Sequence, residues 1–183
     1  MSRTFTVVAG LALAAALLQP ATGSAHDGHP QPMTPLQKQL ADVHAATRPY
    51  LDPKAALSAG YAPFADQNGI YCIGHATEGV MGIHYVHGGR VGDTVLDPAQ
   101  PEALIYEPQA DGSLRLVGME YIVFQAGWDA VNKRPPELFG QRFHATPEGN
   151  RYGIPAFYAL HLWLWQYNPA GTFEDWNALV QCR

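Results

Sequence analysis

Hydrophobic and polar positions divide the chain into a helical front and a β-rich remainder. Apolar residues recur at helical spacing over residues 36–47. Thr34 followed by Pro35 is typical of a capped helix start, and Pro49 ends the pattern. A second short helix is predicted at residues 54–59. The front of the domain is therefore predicted to be a helical pair.

After residue 61 the pattern favours strands separated by Gly and Pro. The predicted strands cover residues 80–87, 103–107 and 114–124. Residues 156–165 fit either a strand or a buried helix, and their aromatic enrichment favours a strand. Asp111-Gly112 is a strong hairpin signal between the second and third strands. Residues 135–149 and 168–183 have the composition of loops. The predicted fold class is α+β, with an N-terminal helical pair followed by a mainly antiparallel β-sheet.

The hairpin register predicts which residues oppose each other. If Asp111-Gly112 is a two-residue loop, Ala103 opposes Glu120 and Glu107 opposes Leu116. Glu107 and Glu120 then lie on one face, roughly 13 Å apart, which is too far for one mononuclear site. Because a three-residue loop would move Glu107 to the other face, its position stays open at this point.

Strand alternation places ionisable side chains on apolar faces. Glu120 shares its predicted face with Leu114, Leu116, Ile122 and Phe124, and His161 shares its face with Phe157, Trp163 and Trp165. His84 shares a face with Val80, Gly82 and Val86. Buried charge is costly unless it is paired, hydrogen-bonded or bound to a metal, so these three residues are candidates for a functional site.

The first hypothesis is a metal site built from His84, Glu120 and His161. Two imidazoles and one carboxylate suit a divalent transition metal such as Cu, Fe, Zn or Mn, and three ligands leave positions open for catalysis. Candidates for the surroundings of this site are His75, Glu107, Tyr85 and Tyr121.

Two alternatives to the metal site stay open. In the first, Glu120 and His161 are core polar groups hydrogen-bonded to tyrosines such as Tyr85, Tyr106 or Tyr121. In the second, histidine and glutamate form a metal-free acid/base pair. No fixed-spacing motif joins the three residues, and the chain contains no nucleophile elbow, phosphate loop or covalent haem motif. The sequence therefore assigns no reaction.

The N-terminus predicts export. Arg3, the apolar core at residues 7–18 and the small residues before position 26 are typical of a signal peptide over residues 1–25. The apolar core is too short to cross a bilayer, which takes about 20 residues. We expect a periplasmic or secreted location with no membrane attachment after cleavage. A flexible arm at residues 26–34 and a single domain at residues 35–183 would follow.

The two cysteines and the new N-terminus add two further predictions. In an oxidising compartment Cys72 and Cys182 are expected to form a disulfide. Cleavage before His26 would place a free amine beside its imidazole, and with His29 these nitrogens can chelate Cu(II). The alternative is a mobile arm without a ligand.

Charge limits the class of partner. The formal net charge of −5 is unfavourable for nucleic acid, which selects basic surfaces. The leading hypothesis is therefore an exported metal-binding protein that acts on a metal ion or a small molecule. The alternatives are a metal-free module with an aromatic pocket made by Phe157, Trp163 and Trp165, and an exported partner-binding domain.

Three segments support a single exported domain. MGIHYVHGGRVGDTVLDPAQPEALIYE, LRLVGMEYIVF and HLWLWQYNPAGTFEDWN resemble a group of exported bacterial proteins of unassigned function. The resemblance covers most of the chain after residue 25 and implies an exported domain. It implies no mechanism.

Overall fold

The computed structural model describes residues 32–183. The predicted signal peptide, most of the predicted arm and the candidate copper ligands His26 and His29 lie outside these residues. Residues 33–183 form one compact unit. In the described part of the chain, no helix has the length and apolar character needed to cross a membrane.

The described chain contains four α-helices and nine strands. The helices are α1 (Pro35–Thr47), α2 (Pro53–Ser58), α3 (Gly88–Val91) and α4 (Gln125–Val131), with a 3₁₀ turn at Arg48–Leu51. The first strands are β1 (Ala62–Pro63), β2 (Cys72–His75), β3 (Gly79–Val86), β4 (Ala103–Pro108) and β5 (Leu114–Phe124). The last are β6 (Glu137–Leu138), β7 (Gln141–Arg142), β8 (His144–Thr146) and β9 (Phe157–Leu162).

Seven strands form one antiparallel sheet. Its order is β1-β3-β4-β5-β9-β8, and β2 pairs with the same strand, β3, as β1 does. The strands β6 and β7 form a separate two-stranded sheet. The helical pair precedes this sheet in the chain, which confirms the predicted α+β class.

The N-terminal helices begin where the sequence predicts. The Thr34 side chain accepts a hydrogen bond from the Gln37 backbone, and Asp52 caps α2 through the Lys54 backbone. Gly60 follows α2 at φ +94°, a conformation that glycine adopts easily. Val43 of α1 packs with strand residues such as Met119, so the helical pair covers one face of the sheet.

Several short strands lie where the sequence pattern indicates loops. Residues 72–79 have the composition of a loop, but Cys72–His75 form β2 and pair with β3. The loop-rich segment at residues 135–149 contains β6, β7 and β8. These strands have two to four residues, too few to show a period of two.

The β4–β5 hairpin contains two irregularities that compensate for each other. Gln109 donates its backbone N–H to the Ser113 carbonyl at 2.8 Å, so the loop has three residues rather than two. Val117 is then an extra residue in β5, which shifts the register by one. The prediction that Ala103 opposes Glu120 is confirmed.

The same bulge corrects two further register predictions. Glu107 opposes Arg115 rather than Leu116. The side chains of Leu114 and Leu116 lie on the face of the sheet opposite to Glu120. The extra residue reverses the alternation of side chains between the two faces on the loop side of Val117. Ile122 lies on the Glu120 face as predicted, since it is beyond the bulge.

The predicted disulfide between Cys72 and Cys182 is present, with the two Cα atoms 5.7 Å apart. It connects β2 to the last residues of the chain. The isolated pairing of Val80 with Asn177 adds a second attachment of the tail to β3. The C-terminal segment is therefore fixed against the sheet at two places.

We expect loss of this disulfide to lower the free energy of unfolding by about 2–4 kcal/mol, because a closed loop of this size restricts the unfolded chain. The measurement is urea unfolding of the oxidised protein beside a Cys72→Ser/Cys182→Ser variant. A reductant should destabilise the first protein and leave the second unchanged. Equal unfolding midpoints for the two proteins would contradict the prediction.

Candidate metal centre

Three neighbouring parts of the sheet bring His84, Glu120 and His161 together. Glu120 on β5 pairs directly with His161 on β9. On the other side Glu120 pairs with Ala103 of β4, which in turn pairs with Val86 of β3. Paired residues share a face, so the side chain of His84, two residues before Val86, also lies on the Glu120 face.

His84 reaches Glu120 across an intervening strand. Strands β3 and β5 are roughly 9–10 Å apart, twice the usual strand spacing. Ala103 stands between them with only a methyl group, which leaves room for the imidazole above β4. The result is a cluster drawn from three strands, as the sequence predicts.

The ligand-type atoms of the cluster lie within 4.8 Å of one another. His84 Nε2 is 3.3 Å from Glu120 Oε2, and His161 Nε2 is 3.9 Å from Glu120 Oε1. Ligands about 2.0–2.2 Å from a metal are separated by about 3–3.5 Å. Small side-chain rotations would therefore bring all three atoms into a single coordination sphere.

The cluster is buried and its nitrogens lack hydrogen-bond partners. His84, Glu120 and His161 are 3%, 6% and 2% exposed. Both ring nitrogens of His84 and Nε2 of His161 are buried without a hydrogen bond in the described chain, since the 3.3 Å approach to Glu120 is not aligned for one. An unsatisfied buried polar atom costs about 1–3 kcal/mol, so three of them in one cluster indicate a missing partner.

Asp175 fixes the orientation of His161. The Asp175 carboxylate accepts a hydrogen bond from His161 Nδ1 at 3.1 Å. Because a carboxylate only accepts, Nδ1 carries the proton, and the second nitrogen, Nε2, points toward Glu120. This carboxylate–histidine arrangement is typical of metal sites. The exposed His144 contacts the same carboxylate at 3.3 Å.

Asp175 lies in the tail, where hydrogen bonds hold its neighbours in place. The Trp163 indole donates to the Glu174 carbonyl at 2.6 Å. Asn168 donates to the Trp176 carbonyl at 2.9 Å. Both residues beside Asp175 are therefore anchored to groups that follow β9.

Burial and neighbouring charges set the protonation of the cluster. Burial lowers the pKa of His84 to about 3, and the charges of His161 and Arg151 act in the same direction. Burial raises the pKa of Glu120. Burial also lowers the pKa of His161, but the negative charges of Glu120 and Asp175 and the hydrogen bond to Asp175 outweigh burial and raise this pKa overall. The environment therefore keeps His84 neutral, the form that ligates metals.

An apolar pocket of about 170 Å³ opens beside the cluster. His84 and Glu120 form part of its wall. Seven apolar side chains form most of the remainder: Phe64, Val86, Val91, Ile122, Phe124, Ile154 and Phe157. Tyr152, a loop residue, also lines the pocket, and burial raises the pKa of its hydroxyl, which therefore stays a hydrogen-bond donor. A small molecule in this pocket would contact His84 and Glu120, whereas His161 does not line it.

The two tyrosines predicted near the pocket lie on the opposite face. Tyr85 packs against Tyr106, with ring centroids 4.8 Å apart, and the Tyr121 hydroxyl donates to the Pro98 carbonyl. The Tyr106 hydroxyl donates to the Tyr50 carbonyl. Tyr85 and Tyr121 directly follow His84 and Glu120, so strand alternation itself excludes them from the site. These hydroxyls do not satisfy the cluster.

His75 and Glu107, the remaining candidates for the surroundings, have different partners. His75 is exposed and accepts the backbone N–H of Thr77 and Glu78, which closes the turn after β2. Glu107 lies on the Glu120 face but forms an ion pair with Arg115 and accepts the Gln181 backbone N–H. Neither residue contacts the cluster.

The prediction that Phe157, Trp163 and Trp165 share a face with His161 and form an aromatic pocket is partly wrong. Phe157 lines the pocket, and the Trp163 ring lies nearly parallel to His161, with ring centroids 6.3 Å apart. Trp165 instead stacks on His44 of α1 and donates to Thr47, because β9 ends at Leu162 and the chain turns. Trp163 and Trp165 do not line the pocket.

Sequence reasoning missed Asp175 and Tyr152. Both lie in irregular segments, where no periodicity indicates the direction of a side chain. The tail motif Phe173-Glu174-Asp175-Trp176 places an acidic residue between large aromatic residues. That juxtaposition is the one sequence signal that could have identified Asp175 as part of a packed site.

We expect His84 to make the metal-free protein lose stability as the pH falls below 6.5. The unfolded chain protonates this imidazole near pH 6.5, whereas the folded chain does so only near pH 3. The free energy of unfolding therefore falls by up to about 1.4 kcal/mol per pH unit within that window. Urea unfolding between pH 4.5 and 6.5 should show a smaller pH slope for His84→Gln. His75→Gln should keep the wild-type slope. Equal slopes in all three proteins would refute the assignment.

Comparison with protein-family models, with curated proteins and with solved structures finds no match for this chain. The case for a function therefore depends on the geometry and chemistry of the cluster. Within residues 32–183, His84, Glu120 and His161 form a buried group that can hold a metal ion.

Proposed function

We propose that this protein is an exported metal-binding protein whose centre is formed by His84, Glu120 and His161. A small molecule reaches the metal through the apolar pocket. The centre binds a divalent transition metal, and its three protein ligands leave coordination positions for that molecule.

The observation that carries the proposal is the set of buried nitrogens without hydrogen bonds. Apolar side chains could replace His84 and His161 in a merely structural core, and a structural histidine would be hydrogen-bonded. Here His84 Nε2 and His161 Nε2 flank a carboxylate without bonding to it. A bound metal would give each of these nitrogens a partner and would neutralise Glu120.

The donor set indicates the class of metal. Two imidazoles and one carboxylate suit Zn, Fe(II), Mn or Cu(II), whereas Mg and Ca prefer all-oxygen sites. When bound, such a metal supplies a positive charge that polarises a coordinated oxygen or nitrogen. Asp175 holds the His161 tautomer, and the apolar walls keep bulk water from the centre.

Export is part of the proposal and is supported by two features. Residues 1–25 have the charge, apolar core and small residues of a signal peptide. The disulfide Cys72–Cys182 is typical of chains that fold in an oxidising compartment. A periplasmic or secreted location is consistent with both.

The pocket favours a second candidate function, a metal-free binder of small apolar molecules. Its walls would then be Ile122, Phe124, Phe157 and their neighbours, not the Trp163 and Trp165 surface. This candidate leaves His84 Nε2 and His161 Nε2 beside Glu120 without the partner that a metal would supply, so we rank it below the metal centre.

We expect the mature protein, purified from the periplasm without a tag or chelator, to contain one metal ion per chain. Substitution of His84, Glu120 or His161 by Ala should lower the metal content at least tenfold, because each residue supplies one of three ligands. The measurement is elemental analysis of the purified proteins.

Two controls separate ligand loss from general damage. His75→Ala removes an exposed histidine, and Glu107→Gln changes another buried carboxylate, so both should retain the metal. Metal kept by the ligand variants but lost on deletion of residues 26–29 would move the site to the N-terminal arm. Absence of metal from the wild type, with no uptake of Cu, Zn, Fe or Mn, would refute the proposal.

We expect Asp175→Asn to weaken metal binding by about 10–100-fold, because the carboxylate that orients His161 is lost. The measurement is competition with a chelating dye, with the thermal unfolding midpoint of the metal-free protein as a check on folding. His144→Gln removes only an outer contact and should change the affinity by less than about threefold. An unchanged affinity in Asp175→Asn would contradict the positioning role.

A further inference from the structure

The pocket separates polar from apolar chemistry. His84 and Glu120 supply polar atoms at one end, and Phe64, Val91 and Phe157 are among the apolar side chains of the walls. Among the lining residues of the described chain there is no lysine or arginine. A ligand that fits this arrangement has one polar end and an otherwise apolar body.

The volume limits the size of the ligand. The cavity is about 170 Å³. An apolar protein cavity of about 150 Å³ accepts a benzene molecule, so one six-membered ring with a small substituent fits here. Sugars, nucleotides and peptides fit poorly, because they are larger than this cavity and, apart from His84 and Glu120, only the Tyr152 hydroxyl offers them a side-chain hydrogen bond.

The charge of the centre indicates the polar end. A divalent metal held by two neutral imidazoles and the Glu120 carboxylate has a net charge of about +1. The Asp175 carboxylate lies behind His161 and does not line the pocket, so the positive charge of the coordination sphere faces the pocket and favours a ligand with an anionic oxygen. Tyr152 lines the same pocket, but its hydroxyl carries no positive charge. Since no described lining residue is a lysine or arginine, the metal is the positive group that such a ligand would meet.

We propose that the pocket binds a small apolar organic acid, about one aromatic ring in size, through a single anionic oxygen on the metal. The inference depends on the proposed metal centre and extends it by naming the ligand class. The ring lies against Phe157, Ile122 and Val91, and the acid group faces His84 and Glu120. Carboxylate and phenolate share this chemistry, and benzoate is the simplest probe.

The experiment compares benzoate with acetate on the full mature protein loaded with cobalt(II). The two anions offer the same donor, and only benzoate has a ring to bury. Cobalt absorption reports metal binding and the arrival of either anion. We expect both anions to change the spectrum, with a dissociation constant for benzoate at least about tenfold lower than for acetate.

A matched pair of valine substitutions tests where the ring binds. Val91 is buried in the pocket wall, whereas Val95 is 60% exposed and does not line the pocket. Val91→Phe should bring the dissociation constant for benzoate close to that for acetate, while acetate and cobalt still bind. Val95→Phe should leave benzoate binding more tightly than acetate, as in the wild type. If Val91→Phe does not fold, Gly88→Phe serves instead, since a Cβ there has no neighbour within 4 Å at the pocket edge.

The outcomes distinguish this inference from the proposed function. Tighter binding of benzoate that Val91→Phe or Gly88→Phe abolishes supports the inference. Cobalt binding with equal affinities for benzoate and acetate overturns the ligand class and leaves the metal centre standing. Tighter binding of benzoate than of acetate that persists in both Val91→Phe and Gly88→Phe also overturns the inference. Failure of the wild type to bind cobalt or any other transition metal refutes the centre and, with it, the inference.

Discussion

The burial of Glu120 between two histidines is the constraint on which the rest of the structure depends. A carboxylate in the middle of a central strand is unfavourable unless neighbouring groups compensate for the loss of water. Pairing of β5 with β9 places His161 beside it, and the small side chain of Ala103 gives His84 access from β3. The sheet thus brings together three ligand-type groups with few additional polar atoms, and the proposed metal centre depends on this arrangement.

The two faces of the sheet have separate tasks. The helical pair and a large aromatic and aliphatic core cover the face that carries Met119 and Tyr121. The cluster and the pocket lie on the opposite face, which is covered by loops and by the C-terminal tail. Because the Cys72–Cys182 bond and the Asn177 pairing attach that tail to the sheet, they also hold Asp175 against His161.

Sequence patterns predict the parts of the site that depend on strand periodicity. Glu120 and His161 can be identified because they interrupt apolar faces, and Ala103 opposes Glu120 because the longer hairpin loop and the Val117 bulge cancel. The predicted partner of Glu107 and the predicted face of Leu114 and Leu116 are wrong for the same reason. These residues lie between the hairpin loop and the bulge, where the one-residue shift is not yet cancelled. Asp175 lies in a loop, where the fold rather than any pattern sets side-chain direction.

The bulge at Val117 also separates the strand register near the hairpin loop from the register at Glu120. Between it and the hairpin loop, β4 and β5 pair one residue out of register with their pairing at Glu120, so the extra residue of that loop does not change the partner of Glu120. The pocket walls, in contrast, come largely from strand ends, α3 and the loop that carries Tyr152. Variants of this chain can therefore alter the shape of the pocket while the three central residues keep their register.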